Sequence, residues 1–292
     1  MSLILQCLLD SVLLGGLYSL MAVGLSLGFG ITRIINFAYG EFIMLGAYGA
    51  FFCSTLMGID PLLSLPLVAA GVALIAAIIF QLCLGRALRA APINQILLLF
   101  GVGLVLQNVA AILWTGDARS VTTSYSLSGE QVGDITISDG RVVAFLLAVL
   151  LIAILLMWLH RTELGRATRA VAQNRQAAVL MGINVTFIYL LSFALNAALG
   201  AATGAISSFL LTITPFMGFH MLVKSFAIVV LGGLGSIAGT LAGAFVLAFA
   251  ETVVAYYVPE GIGWAEGVAF VVLLLVLIVR PQGILGQSEG VA

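Results

Sequence analysis

Lysine occurs once in the 292 residues, at position 224, and histidine only twice. Charged residues of both signs together make up 8% of the chain, where an ordinary soluble domain carries about a quarter. So little charge excludes a water-soluble globular protein, which could not cover its own surface. The formal net charge of −1 says nothing about partners, and no nucleic acid is expected among them. The three cysteines, Cys7, Cys53 and Cys83, lie in apolar runs without a CxxC spacing, so neither a disulfide framework nor a thiolate metal site is expected. His160 and His220 are far apart, with no cluster of cysteine or carboxylate nearby, which argues against a histidine metal site. No G-x-x-x-x-G-K-[ST] stretch is present, so this chain holds no nucleotide through a P-loop of its own. Paired carboxylates and nucleophile–base pairs are missing too. That tells against an enzyme, and the scattered carboxylates make no obvious proton relay. No cofactor is expected in this chain.

What is present is apolar residue, 62% of the total. The solvent of such a chain is lipid, and the fold class is an all-α polytopic membrane protein. Runs of about twenty apolar residues mark 4–28, 37–57, 62–84, 92–114, 142–159, 186–211, 238–256 and 264–280, with a short run at 216–232. These give about eight transmembrane helices plus one short or broken membrane segment, in a single domain over 1–292. The start, MSLILQCLLD, has no basic n-region and reads as the lead-in to a retained first helix.

Two polar connections stand out. Residues 115–141 hold Asp117, Glu130, Asp134 and Asp139 against Arg119 and Arg141. Residues 160–183 hold Arg161, Arg166, Arg169 and Arg175 against Glu163 alone. If the second is cytoplasmic, alternation of spans puts Arg33, Arg86, Arg89 and Arg280 on the same side. Asp60, the 115–141 connection, Glu260 and Glu266 then face outward. The reverse orientation would export those arginines, which the positive-inside rule disfavours. This parity requires the short segment to cross once, and it places the N-terminus outside.

The basic loop has a shallow helical pattern. Ala167, Ala170, Val171, Ala178 and Met181 share one side, and Arg166, Arg169, Gln173 and Gln176 another. A small-residue face flanked by arginine suits docking into a groove on another protein. A solvated loop that only fixes topology fits the spacing equally well.

Glycines four apart, at 24/28, 200/204 and 235/239/243, allow close helix approach. Two glycine-rich breaks go further: GFGITRIINFAYGEF (28–42) and VLGGLGSIAG (230–239). Backbone unwinds at membrane depth only where protein or a water-filled cavity covers it, and paired interrupted helices often line a transporter's substrate path. On that ground Asn36, Phe37, Tyr39, Gly40 and Glu41 of the first break, with Gly232, Gly233, Gly235 and Ser236 of the second, are candidates for the translocation path. Asn36 also reads as a helix N-cap, and Glu41 as a carboxylate favoured by a helix N-terminus. Lys224 and His220 fall in the short segment. Glu251, late in its helix, reads as a group reaching the outer interface.

Four stretches in order carry a resemblance: 16–48 (GLYSLMAVGLSLGFGITRIINFAYGEFIMLGAY), 165–184 (GRATRAVAQNRQAAVLMGIN), 230–244 (VLGGLGSIAGTLAGA) and 280–286 (RPQGILG). Together they resemble the branched-chain amino acid ABC transporter permeases of LivH type over roughly 10–286. Tyr39 stands where that family commonly has His, and Ala238 where Pro is common. The resemblance implies a multi-pass permease subunit of an importer in a bacterial inner membrane. It implies two ATP-binding subunits that hold the ATP, a second similar permease and a periplasmic substrate-binding protein as partners. It also implies that 160–184 docks on the ATPase through Gly165, Arg166, Arg169, Ala170, Ala172, Asn174, Ala177, Ala178, Gly182 and Ile183. Related permeases carry amides or urea on the same framework, and a stand-alone channel or secondary transporter is the alternative of another class.

Overall fold

The computed structural model describes residues 2–285 apart from Arg89, Asp134 and Pro281. Arg89 and Asp134 of the charge pattern, and Pro281 and Gly286 of the fourth stretch, therefore lie outside the described residues. The membrane helices follow in chain order: α1 (Ser2–Thr32), α2 (Tyr39–Met57) and α3 (Pro61–Ile79). A π-turn (Phe80–Leu84) carries α3 on into α4 (Gly85–Ala87), and α5 (Pro92–Trp114) returns. A connection with the one-turn α6 (Ser124–Leu127) and the hairpin β1 (Gly129–Val132) and β2 (Ile135–Ser138) leads to α7 (Asp139–Arg161). The basic loop forms α8 (Glu163–Gln173) and α9 (Arg175–Leu180). Then come α10 (Val185–Ser207), α11 (Met217–Gly232), α12 (Ile237–Tyr257) and α13 (Gly261–Val279). Seven helices of the described residues are long and apolar enough to cross a membrane, beside the shorter apolar stretches Met217–Gly232 and Gly267–Val279. These correspond in order to the segments expected from the sequence.

Local chemistry sets the ends. Asp60 caps α3 by accepting from Leu62 N–H at 2.8 Å, with Pro61 at the first helical position where its missing N–H costs nothing. Asn184 and Ser236 cap α10 and α12 in the same way. Side chains pointing outward are large and apolar, as at Ile112 (81% exposed), Leu63 (76%) and Ile278 (71%). In water this would be an aggregation surface; in lipid it is the solvated one. Many of the innermost side chains come from α1, α2 and α10, among them Leu20, Tyr39, Phe42, Tyr48, Ile188 and Ile206, joined by Phe80 and Leu84 of the π-turn and Leu99 of α5. Phe42 meets Phe193 edge-on, with ring centroids 5.8 Å apart.

The two ends of the bundle differ in charge. Tyr125 donates to Asp60 at 2.9 Å, and Gln6 donates to the Thr136 carbonyl at 2.8 Å, so the N-terminus, the α2–α3 turn and the 115–138 connection share one end. Burial, and then the Asp60 carboxylate, push the Tyr125 phenol above the ordinary tyrosine range. At the other end Gly30 packs on Gly235, and the segment after α13 reaches the same place through Ile284 N–H donating to the Leu231 carbonyl at 2.9 Å. That end carries the basic loop, Arg33 and Arg280. Helix α11 begins at the first turn of α2, where Gly218 meets Gly40, and finishes at this end with Gly232 against Gly239.

Candidate functional site

The first glycine break is a re-entrant extended segment. Helix α1 stops at Thr32, Arg33 takes a left-handed φ of 58°, and α2 starts only at Tyr39. An asparagine pair pays the polar cost of unwound backbone here. Asn36 Nδ2 donates to Asn196 Oδ1 at 2.8 Å, and Asn196 Nδ2 donates to the Gly24 carbonyl at 2.7 Å. Asn36 Oδ1 accepts from Ala38 N–H at 3.0 Å. The residue at the N-cap position of α2 is Ala38, so Asn36 acts two residues ahead of the cap it was expected to be.

The other candidates of the first break lie around this pair, apart from those of the second. Phe37 lies edge-on to Phe100 of α5, centroids 6.4 Å apart. Tyr39 is fully buried and donates to the Met21 carbonyl at 2.8 Å, its ring lying across Gly24 and Gly200. A Cβ on Gly40 would stand 2.0 Å from the Gly218 carbonyl oxygen, so the first turns of α2 and α11 cross backbone against backbone. Glu41, in the first turn of α2, is 6% exposed, and its carboxylate lies against Gly218. Its Oε2 has no hydrogen-bond partner among the described residues. A buried acceptor left like this is costly in a membrane protein and marks a place to look for function.

The second break is of another kind. Gly233 (φ 106°) and Gly235 (φ 81°) turn α11 directly into α12, and Ser236 Oγ accepts from Gly239 N–H at 3.1 Å. A Cβ on Gly232 would fall 2.2 Å from the Gly239 carbonyl oxygen. It is a tight helical hairpin at the arginine-bearing end, not an unwound stretch in mid-span.

The basic loop is two helices with a corner. Thr162 caps α8, accepting from Gly165 N–H at 2.9 Å, and Asn174 caps α9, accepting from Ala177 N–H at 2.9 Å. Gly165 is pressed on the backbone of Trp158 and Leu159, and Thr168, Val171 and Ala178 are buried. Ala170, Ala172 and Ile183 are half-buried; Arg166, Arg169, Asn174, Ala177 and Gly182 are exposed. Met181 was expected on the same side as Ala178, yet it is 81% exposed, with Leu180 at 88%. Helix α9 ends at Leu180 and Gly182 (φ 78°) turns the chain, so the face that holds Ala178 stops short of Met181. A cavity of about 600 Å³ at this end is lined by Arg169 and Ala172 of the loop, Gly235 and Ser236 of the second break, and Gly30. The loop and the second break thus form one region, and the Asn36–Glu41 cluster another.

A third polar cluster escaped the sequence reading. Glu251 is only 4% exposed and does not reach the outer interface. It accepts from Tyr18 at 2.5 Å and pairs with Lys224 at 3.3 Å. The signal was there in a lone lysine and a lone glutamate on consecutive apolar helices, but their partnership needs the α11–α12 hairpin. Among the described residues no group of three or more histidine, cysteine, aspartate or glutamate side chains is placed to hold a metal ion.

The family model for branched-chain amino acid transport system permease components matches residues 7–277. The chain belongs to this permease family. It is 33% identical to the high-affinity branched-chain amino acid transport system permease protein LivH of Salmonella typhimurium, over 98% of this chain and 96% of that one. The permease protein BraD of Pseudomonas aeruginosa is likewise 33% identical, with the same coverage. The ribose import permease RbsC of Escherichia coli is 30% identical over 79% of this chain and 72% of its own. The permease is therefore a multi-pass membrane transport component, and its re-entrant segment, hairpin turn and loop fall inside the matched region.

Proposed function

We propose that the chain is the membrane subunit of an ATP-driven importer for branched-chain or other apolar amino acids. It works by alternating access coupled to separate ATPases, in a bacterial inner membrane with the arginine-bearing end in the cytoplasm. The observation that carries this is the α8–α9 corner. Leu180 and Met181 are 88% and 81% exposed on an element flanked by arginines, outside the spans long and apolar enough to cross a membrane. Exposed apolar side chains ringed by charge mark a protein-binding surface. Ala177, exposed beside them, leaves room for a close-fitting groove. Movement of this corner reaches the hairpin turn through Arg169 and Ala172, which share a cavity with Gly235 and Ser236. The glycine contacts between α2 and α11 would then let the re-entrant segment shift. A second permease copy or homologue, a periplasmic binding protein and two ATPases complete the assembly.

Relatives named for branched-chain amino acids support that substrate class, and the relative named for ribose makes it a matter for experiment. The test is co-purification from the native host, followed by ATP hydrolysis with leucine-loaded binding protein. Association of ATPase chains and stimulation by leucine are expected. A chain that purifies without them and still conducts would restore the channel reading.

A further inference from the structure

A cavity of about 710 Å³ lies between α1, α7, α11 and α12, toward the end away from the basic loop. Charged side chains of both signs line it: Asp10, Arg141, Lys224 and Glu251, with His220 beside them. In a chain with 8% charge, this concentration facing one cavity inside a bundle is not chance covering of surface. The charges form two stations. At the outer one, Arg141 Nη1 meets Asp10 Oδ1 at 3.0 Å, and Tyr256 donates to Asp10 Oδ2 at 2.5 Å. Along α1, roughly 12 Å further in at its helical rise, Tyr18 donates to Glu251 Oε2 at 2.5 Å and accepts from Lys224 Nζ at 2.9 Å. Lys224 also reaches Glu251 at 3.3 Å. Most of the remaining wall is apolar, with Leu14, Leu17, Met21, Leu210 and Met221, beside the hydroxyls of Ser207 and Thr252.

We propose that this cavity is a binding site, inside a single protomer, for a small zwitterion, with Lys224 and Glu251 as the residues that receive it. The argument is one of charge conservation in a poorly solvated place. A ligand bearing ammonium and carboxylate on one carbon inserts between Lys224 and Glu251 and gives each a new partner. One ion pair becomes two, and no buried charge is stranded. An amine alone takes Glu251 and strands Lys224; a carboxylate alone does the reverse. A neutral amide separates the pair and replaces neither charge. Stranding a buried charge is far more costly than exchanging its partner. The outer Asp10–Arg141 pair offers the same chemistry at the entrance, and the leucine and methionine wall suits an apolar side chain. In choosing an amino acid over other zwitterions the inference rests on the importer reading. The same charges occur in the headgroup of phosphatidylethanolamine, so the experiment separates the two sources.

The full-length chain, with the subunits that co-purify, is placed in nanodiscs of phosphatidylglycerol alone and titrated with leucine, 3-methylbutylamine, isovalerate and the neutral 3-methylbutanamide. Saturable binding of leucine is expected, with the three analogues weaker on the order of 100-fold. Lys224→Met and Glu251→Gln should each lose leucine binding. The double variant, K224M with E251Q, strands no charge, so it should recover thermal stability and still not bind. Phosphatidylethanolamine retained from native membranes by the wild type and lost from the double variant, with no leucine binding, supports the site with lipid as its zwitterion. Neither ligand bound, or leucine bound equally by the double variant, overturns it. Wild-type leucine uptake by a complex carrying the double variant removes the site from the route and leaves the importer reading standing. A wild-type complex that imports no amino acid removes the importer reading, while the binding measurement stands by itself.

Discussion

At the scale of single residues, what matters is how little room the glycines leave. Gly40 has the Gly218 carbonyl oxygen where its Cβ would be, whereas Gly71 on the outward face of α3 has nothing within 4 Å. Alanine should therefore have opposite effects at the two sites. Gly40→Ala forces two backbones apart, at a cost of about 1–3 kcal/mol, and Gly71→Ala gains up to about 1 kcal/mol of helix propensity. Thermal melting of the detergent-solubilised protein should fall for the first and hold or rise for the second. Equal shifts would mean that the α2–α11 crossing is loose. Glu41→Gln removes charge without shape and breaks no hydrogen bond to Oε2. Its melting temperature should hold while leucine uptake falls severalfold; poor accumulation in the membrane would make Glu41 a purely structural group. Glycine spacing and the first-turn position of Glu41 were readable from the sequence. Their partners were not, because Asn196 and Gly218 lie far along the chain from the first break. Glu251 was misread for the same reason: one-dimensional hydropathy places a residue near a helix end but does not say what it faces.

Elements were more legible than contacts, since runs of twenty apolar residues have few alternatives in lipid. Helix ends in the structure fall within a few residues of the expected spans. The exception is the loop, which bends at Asn174, whose side chain competes for the Ala177 N–H. The loop bears the next test. Ala177→Trp places a ring on an exposed docking surface, while Arg169→Glu reverses a charge at its edge. Overfilling a packed contact costs about 1–3 kcal/mol and an exposed charge pair under about 1 kcal/mol, so tryptophan should be the more damaging. Pull-down of ATPase chains reads the difference, with membrane abundance unchanged in both variants. At the opposite end, Tyr125 ties the 115–138 connection to the start of α3 through Asp60. Its raised phenol keeps the donor proton as pH climbs past the ordinary tyrosine value near 10, so this contribution to stability is full below that value and is lost progressively above it. Tyr125→Phe lacks the bond at every pH and should expose the connection to protease at neutral pH. Unchanged cleavage would show that the hairpin and α6 hold without it.

For the whole molecule, sidedness follows from charge alone. Arg33, Arg86, the loop arginines and Arg280 collect at one end because each apolar span returns the chain once. Asp60, the 115–138 connection and Glu260 collect at the other end. Moving the loop outward would carry its four arginines and the others across the bilayer, each a strong determinant in a short loop, so the loop is predicted to stay in the cytoplasm. The prediction is tested with single cysteines at Arg169 and Gly129 in a chain whose Cys7, Cys53 and Cys83 are replaced by serine or alanine. Cys7 is buried, and the other two are partly so, so these replacements need checking first by membrane abundance. Arg169 is exposed on α8 and Gly129 opens β1, so both positions admit a label. A membrane-impermeant maleimide added to intact cells should then modify position 129 and spare 169. The same reagent on inverted vesicles should modify 169 and spare 129. Both positions reacting from one side would mean an even number of crossings between them, incompatible with α7 as the only span separating residues 129 and 169. Reversal of both would leave the fold intact and turn the ATPase-docking reading of the corner at Ala177–Met181 to the wrong side of the membrane, where no ATP is found.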